Sequence, residues 1–347
     1  NTFEKYFYVK DSFIENISLY KNKFNDECCF FSIFFKNNAY FINSYFKDSV
    51  DFYKCEFEKT VSFYGARFDK TPNFSQVIFK GNLNVVNTNL NFTFDNLQEK
   101  IKQEYEDFNK DKNEKDKKSL DKFANDFRDS FRNFKSALIK DNNLLEASKF
   151  HKYELYCKEI ELNSKKYKIF SKEWIDKYQL FFYRKLCDHH TDILQSFNLL
   201  ILVIGIFGVL NLAIIIGFNC YLGYKPVLEH LYFSLDFYNF HIKPFIENNH
   251  LFIIFVNCVI LFLYLILVGF ALCEKYIRKF FITISYVITF FIMATSPKIL
   301  IPAMGIFTDK RVMLDPLSVL GGIYTIVFGF VVYSFVKTIR KNSIVPS

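Results

Sequence analysis

The residues best suited to chemistry stand side by side in the middle of the chain, in the run Cys187-Asp188-His189-His190. A thiol beside imidazoles could act as a nucleophile or contribute to a metal site. Adjacent histidines do not share a helix face, however, and no third ligand stands at a suitable spacing. The chain also lacks GxSxG, HExxH, P-loop and GxGxxG motifs. We therefore interpret these residues as polar groups beside a membrane segment, and we expect no enzyme, no cofactor and no metal.

The eight cysteines do not form a zinc-binding pattern. No CxxC pair occurs, and several cysteines lie within apolar runs or within the phenylalanine repeat described below. We interpret them as small buried hydrophobic residues in a reducing compartment.

A second group of candidates lies in the segment 230–245, HLYFSLDFYNFHIKPF, which is aromatic, amphipathic and too short to span a bilayer. Its start, LYFS, and its place between two apolar runs resemble the pore-loop region of two-span cation channels. The segment 297–312 is a second candidate for a re-entrant loop. Neither segment contains a TVGYG-like filter, so potassium selectivity is not expected. The candidate pore-loop residues are Tyr232, Ser234, Asp236, Asn239 and His241.

Four uncharged apolar runs are available to position these loops in a membrane. A hydrocarbon core of roughly 30 Å is crossed by about 20 helical residues. The predicted transmembrane domain is 196–347, and its four spans are 197–218, 251–273, 280–296 and 317–336. The few polar residues inside the spans indicate either hydrogen bonds between helices or the lining of a water path.

Lys and Arg gather on one side of the predicted spans. The segment 165–185 holds seven of them among aromatic residues, which is typical of a headgroup interface. The loop 219–249, by contrast, holds only Lys225 and Lys243. This asymmetry predicts that both termini lie in the cytoplasm.

Phenylalanine recurs at the front of the chain in alternating steps of five and six. The rhythm runs from Phe13 to Phe79 and extends weakly to Tyr8. A helix would need steps of three and four, and a simple strand would need alternation. A fixed longer period instead indicates a solenoid whose rings point to its axis. The predicted core rings are Phe35, Phe41, Phe46, Phe52, Phe57, Phe63, Phe68, Phe74 and Phe79.

Small or β-branched residues stand two positions before most of these rings, as in Ala39-x-Phe41 and Val61-x-Phe63. This pattern resembles the pentapeptide-repeat family in its Phe-centred variant. The resemblance implies a right-handed, four-sided β-helix over residues 1–94, with about 22 residues per coil. The chain does not begin with Met and starts close to the repeat, so we expect the natural chain to start earlier.

Charge argues against one role known in that family. Some of its soluble members mimic DNA, which requires a strongly acidic surface. Residues 1–90 hold eleven Lys or Arg and ten Asp or Glu. We therefore expect neither DNA mimicry nor a nucleic-acid partner.

The region between the repeat and the spans has a helical pattern. The charged segment 95–122 predicts a linker or an exposed helix. The segment 123–195 predicts a cytosolic helical hairpin and a juxtamembrane helix, and it resembles hairpins that separate pentapeptide repeats from membrane segments in some bacterial proteins. The predicted fold class is thus mixed: an N-terminal β-solenoid, an α-helical connector and a C-terminal four-helix transmembrane domain.

Together these features favour a multi-pass protein of the bacterial cytoplasmic (inner) membrane. The first hypothesis is an oligomeric channel-like pore, a dimer or a tetramer, regulated or assembled through the cytosolic repeat domain. A membrane-depolarising effector is one form of it. The alternative is a membrane-anchored protein-interaction scaffold with no conduction. The expected partners are the lipid bilayer, further copies of the chain, and a cytosolic protein on the repeat or the hairpin.

Overall fold

The computed structural model forms two compact units, Asn1–Phe182 and Tyr183–Ser347. Each unit is considered by itself. The residues that the structure describes are 1–90, 92–110, 112–113, 116–221, 223, 239–240, 243–273, 275–295 and 314–342.

The front of the first unit is a four-sided solenoid of short parallel strands. From β1 to β9 each strand pairs with the strand four further along the chain, whereas β11, β12 and β13 pair with strands three further along, so each side of the solenoid is one sheet. The first sheet contains β1 (Thr2–Phe3), β5 (Lys23–Phe24), β9 (Tyr45–Phe46), β13 (Arg67–Phe68) and β16 (Asn89–Leu90). The second contains β2 (Phe7–Lys10), β6 (Cys28–Phe31) and β10 (Val50–Asp51). The third contains β3 (Phe13–Ile14), β7 (Phe34–Phe35), β11 (Glu56–Phe57) and β14 (Ile78–Phe79), and the fourth contains β4 (Ile17–Ser18), β8 (Ala39–Tyr40), β12 (Val61–Ser62) and β15 (Leu83–Asn84).

The phenylalanine rings stack in columns along the axis, which is the structural reason for the repeat. Phe35 and Phe57 have ring centroids 4.5 Å apart and nearly parallel planes, and Phe30 and Phe52 are stacked at 4.9 Å. All the predicted core rings from Phe35 to Phe74 are at most 2% exposed, and Phe79 is partly buried. Burying one such ring contributes roughly 1.5–3 kcal/mol. The columns therefore replace the central core of a globular domain.

Sharp corners of the backbone make the spacing of the inward rings alternate between five and six residues. In each pair of successive repeats, one corner residue is left-handed, with φ between 53° and 65°. These residues are Lys21, Ser32, Asn43, Lys54, Gly65, Gln76 and Asn87. A Cβ added at Gly65 would lie 2.1 Å from Asn43 Oδ1 in the preceding coil. A side chain at Gly65 would therefore have to displace the Asn43 amide, whereas the other left-handed corners named here carry a side chain.

The sequence-based register is wrong in the first coil. Tyr8 and Phe13 were expected to point inward, but they are 51% and 57% exposed. Ile14 is the residue in register with Phe35, a separation of 21, while Phe24 and Phe46 are separated by 22. The turn between β3 and β4 holds one residue fewer than the equivalent turn between β7 and β8. This single deletion moves the inward positions of the first coil by one residue.

Four helices complete the first unit: α1 (Phe94–Asn109), α2 (Leu120–Lys140), α3 (Leu144–Asn163) and α4 (Lys172–Cys187), the last of which ends just beyond the unit boundary. Helix α1 begins at a capping box formed by Thr93 and Asn96. Its residues Leu97 and Ile101 are fully buried. This part of the segment 95–122 is thus a packed helix rather than the linker or exposed helix suggested by its charge.

The hairpin of α2 and α3 covers the C-terminal end of the solenoid. Ser130 Oγ donates a hydrogen bond to the Phe74 carbonyl at 2.7 Å, and Tyr153 OH donates one to the Leu90 carbonyl at 3.0 Å. Phe134 inserts its ring at the end of the phenylalanine columns, and one buried core runs from the solenoid into the hairpin. The hairpin therefore supplies the cap that a stack of repeats needs at its end.

The second unit is helical: α5 (Ile193–Tyr221), α6 (Lys243–Asn248), α7 (His250–Cys273), α8 (Lys275–Thr295) and α9 (Pro316–Asn342). Within the described ranges, three helices are long and apolar enough to cross a membrane, over Ile193–Ile214, His250–Leu272 and Pro316–Lys341. The sequence predicted four spans. The predicted span 280–296 falls in α8, which is not one of the three. Cations in the first turns of α8, including Arg278 and Lys279, shorten its apolar part.

Candidate functional site

The Cys187–His190 run forms a strained elbow between α4 and α5. Asp188, His189 and His190 have φ of 48°, 56° and 65°, so three consecutive non-glycine residues are left-handed. Each such residue costs roughly 1–2 kcal/mol relative to the right-handed form. The Thr191 amide donates to the Cys187 carbonyl at 3.1 Å, which closes the turn. Other contacts must hold this conformation against its strain.

Helix α9 supplies those contacts. His190 Nδ1 lies 3.0 Å from Thr338 Oγ1, and Lys341 Nζ donates to the His189 carbonyl at 3.2 Å. The Thr338 hydroxyl itself donates to the Ser334 carbonyl at 2.7 Å. His190 Nδ1 is therefore the donor in its bond with Thr338. The elbow before the first span is thus fastened to the end of the last one.

The electrostatics of the elbow do not activate its thiol. Cys187 Sγ lies 3.3 Å from His190 Nδ1, which is close enough for proton exchange. Burial raises the pKa of Cys187, and burial together with Lys337 and Lys341 lowers the pKa of His190 to about 4. At neutral pH the pair is a thiol and a neutral imidazole, the opposite of the charged pair that makes a nucleophile. Among the described residues, no group of three or more His, Cys, Asp or Glu could hold a metal ion.

Polar side chains inside the membrane-capable helices bind neighbouring helices. Asn257 Nδ2 donates to the Leu314 carbonyl at 2.8 Å, and Tyr286 OH donates to Asn198 Oδ1 at 2.9 Å. Tyr264 OH lies 3.4 Å from the Val203 carbonyl in α5. These bonds agree with the first of the two interpretations that the sequence left open for such residues, helix-to-helix bonding.

Helix α5 packs closely against two other helices. A Cβ added at Gly205 would lie 2.3 Å from Ser285 Oγ, so α5 and α8 approach at a glycine. Phe207 stacks on Tyr324 of α9 with centroids 4.0 Å apart. By contrast, α7 exposes large apolar side chains, including Leu251 at 85% and Phe255 at 66%. Such a surface is suited to lipid or to other apolar helices.

Four of the five predicted pore-loop residues, Tyr232, Ser234, Asp236 and His241, lie outside the described residues, as does the whole segment 297–312. Asn239 is described and its side chain is exposed.

A partly buried acid on the second sheet, Asp51, was missed by sequence reasoning. Asp51 accepts hydrogen bonds from the Tyr53 amide at 2.6 Å and from Asn73 Nδ2 at 3.3 Å. Burial, together with the nearby Glu104 of α1, raises its pKa from 3.8 to about 6. Lys100 and Glu104 form an ion pair at 2.8 Å beside it. The only sequence signal was the recurrence of polar residues every 22 positions, at Cys29, Asp51 and Asn73.

Comparison with known proteins bears on the first unit alone. Residues 35–89 match the family model described as pentapeptide repeats (9 copies). No curated protein and no solved structure is significantly similar to the chain. The matched range lies within the four-sided stack of phenylalanine columns. The N-terminal part of this chain is therefore a pentapeptide-repeat β-solenoid, and apolar helices follow it.

Proposed function

We propose that the chain is a multi-pass protein of the bacterial cytoplasmic membrane whose repeat domain regulates or assembles an oligomeric, channel-like pore. The observation that carries this proposal is the presence, in one chain, of a capped solenoid and three helices able to cross a bilayer. A solenoid presents long sides on which protein partners bind. The apolar helices supply the membrane part.

Charge supports a cytoplasmic position for the repeat. Seven Lys or Arg lie in the segment 165–185 before the first span, and Lys337, Arg340 and Lys341 lie at the end of the last one. The segment 219–249 holds two lysines. By the positive-inside rule both termini then face the cytoplasm. This orientation needs an even number of crossings, so the proposal includes α8 as the fourth span that the sequence predicts at 280–296.

The free surface of the spans supports an oligomer. Only 28% of the most apolar stretch of α7 and 22% of that of α9 is buried within the chain. The rest is available to lipid and to other copies. A closed ring of two or four copies is the simplest way for so few spans to enclose a water path. Asp236 is the acid within the segment 230–245, and in this proposal it attracts cations to the mouth of the pore.

A second candidate is the anchored scaffold with no conduction. It is favoured by the hydrogen bond of Tyr264, which joins α7 to α5, and by that of Asn257, which joins α7 to the turn before α9. In this function the spans only hold the solenoid at the membrane.

Reconstitution of the full chain separates the two functions. The mass of the purified particle and cation flux into liposomes are measured for the wild type, for Asp236→Asn and for the control Glu247→Gln. A pore predicts a dimer or a tetramer, flux that discriminates poorly between sodium and potassium, and a reduced flux in Asp236→Asn alone. A monomer with sealed liposomes would leave the scaffold.

A further inference from the structure

An exposed aromatic face lies on α4 and on the turn before it. Phe170 and Trp174 have ring centroids 5.4 Å apart, and Trp174 and Tyr178 have centroids 4.6 Å apart. Phe170 is 79% exposed and Tyr178 is 51% exposed, and the adjacent Ile169 and Ile175 are 72% and 50% exposed. This aromatic face is therefore continuous and largely uncovered by its own unit.

The local backbone displays this face. Phe170 adopts a left-handed conformation with φ of 64°, which is rare for a bulky residue. Ser171 then starts the helix, and its Oγ accepts a hydrogen bond from the Trp174 amide at 3.2 Å. The turn thereby places the Phe170 ring beside Trp174 rather than in the core.

Charge around the face is strongly positive. Lys166, Lys168 and Lys172 are all exposed. Around the helix, Lys172 and Asp176 each lie about 160° from Trp174, and Glu173 lies about 100° from it. The cations that accompany the exposed rings are therefore Lys166 and Lys168, in the connection before the helix.

The chain keeps this helix close to the membrane. Five residues separate Cys187, the end of α4, from Ile193, the first residue of α5. Even fully extended, that connection spans about 20 Å. An amphipathic helix with these properties, held so near a span, suits the boundary between headgroups and acyl chains.

We propose that the aromatic face of Phe170, Trp174 and Tyr178 docks on anionic phospholipid at the cytoplasmic surface of the bilayer, with Lys166 and Lys168 contacting the headgroups. This inference rests on the membrane insertion proposed above. It adds a lipid-binding site to the connector between the repeat and the spans.

Trp174 is the single tryptophan of the chain, so its fluorescence reports on this face directly. The full chain is reconstituted into liposomes of phosphatidylcholine, with or without phosphatidylserine. Only protein that floats with the liposomes after an alkaline carbonate wash is measured. Failure to float would contradict the membrane proposal, whereas the remaining outcomes concern docking alone.

Docking predicts a blue-shifted Trp174 emission in the anionic liposomes, quenching by lipids with a nitroxide near the headgroup, and protection from iodide. Each of the changes Lys166→Gln and Lys168→Gln should lower the ratio of docked to undocked protein about fivefold. The matched single changes Lys21→Gln and Lys47→Gln, on the solenoid, should leave it unchanged.

Two results would overturn the proposal. If iodide quenches the fluorescence of Trp174 in anionic liposomes and the nitroxide lipid does not, the aromatic face is in water. If Trp174 is protected from iodide but is not quenched by lipid, a protein surface such as a second copy covers it.

Discussion

The ring of Phe134 in α2 lies 4.8 Å, centroid to centroid, from the ring of Phe74 in the last part of the solenoid. Phe134 also contacts Phe150 of α3 at 5.4 Å. One side chain therefore joins the phenylalanine columns to both helices of the hairpin. The hairpin is the end cap of the solenoid, and it is not a spacer between independent parts.

Phe134→Ala should open this junction. Removal of a fully buried ring costs about 3–5 kcal/mol when the cavity cannot collapse. We expect faster amide hydrogen exchange in β13 to β16 of the full-length protein. Ile139→Ala, on the same helix at a side chain that is 47% exposed, is the control. Equal exchange in the two variants would contradict the role of Phe134 as a cap.

Phe57→Asp tests the register of the columns. It places a carboxylate on an axis whose neighbours Phe35 and Phe79 leave only apolar contacts. We expect a loss of more than about 4 kcal/mol and of the strand signal in circular dichroism. Lys54→Asp, at an exposed left-handed corner, should fold normally, because Asp tolerates that conformation. Unfolding of both variants to the same extent would rule out this register.

Asp51→Asn should stabilise the second sheet at neutral pH. The pKa of Asp51 is raised from 3.8 to about 6 in the folded chain. The folded state therefore binds more protons than the unfolded state between pH 4 and 6, and stability falls as the pH rises through this window. We expect Asp51→Asn to gain about 1–2 kcal/mol at pH 7.5 and little at pH 4, as measured by exchange of the β6 and β10 amides. A gain that does not change with pH would show that the ionisation of Asp51 is not its cause.

The elbow should loosen on acidification. The pKa of His190 falls from 6.5 to about 4 in the folded chain. Between these pH values an open elbow therefore binds more protons than the closed one. The contact of His190 with Thr338 is then at full strength above pH 6.5 and weakens as the pH falls toward 4. Amide exchange of 188–192, corrected for its intrinsic pH dependence, should rise in this range. His190→Gln keeps a donor that does not titrate and should remove the dependence; an unchanged profile in this variant would exclude His190 as the sensor.

The phenylalanine columns could be predicted because ring spacing alone defines their geometry. The first coil could not, because the deletion in the turn before Ile17 shifts its register and leaves large apolar residues at both possible registers. Tyr8 and Phe13 looked as suitable for the core as Val9 and Ile14, and only the pairings of Val9 with Phe30 and of Ile14 with Phe35 distinguish them.

The sequence predicted neither the burial of α1 nor the left-handed elbow, for different reasons. In α1, many charged residues mask a narrow apolar stripe, Leu97 and Ile101, which is buried in the core that the solenoid shares with the hairpin. The left-handed run at Asp188, His189 and His190 contains no glycine, the residue that usually marks this conformation. Its contacts come from α9, about 150 residues later, which no local pattern could indicate.

Protease accessibility in cells tests the central claim, that a cytoplasmic repeat domain is attached to spans in the inner membrane. The segment 110–119 joins α1 to α2 and contains five lysines, each of which is a possible trypsin site. In intact spheroplasts we predict that trypsin leaves this segment uncut, and that it cuts there in inverted membrane vesicles. Cleavage of 110–119 in intact spheroplasts, or its protection in inverted vesicles, would contradict the account.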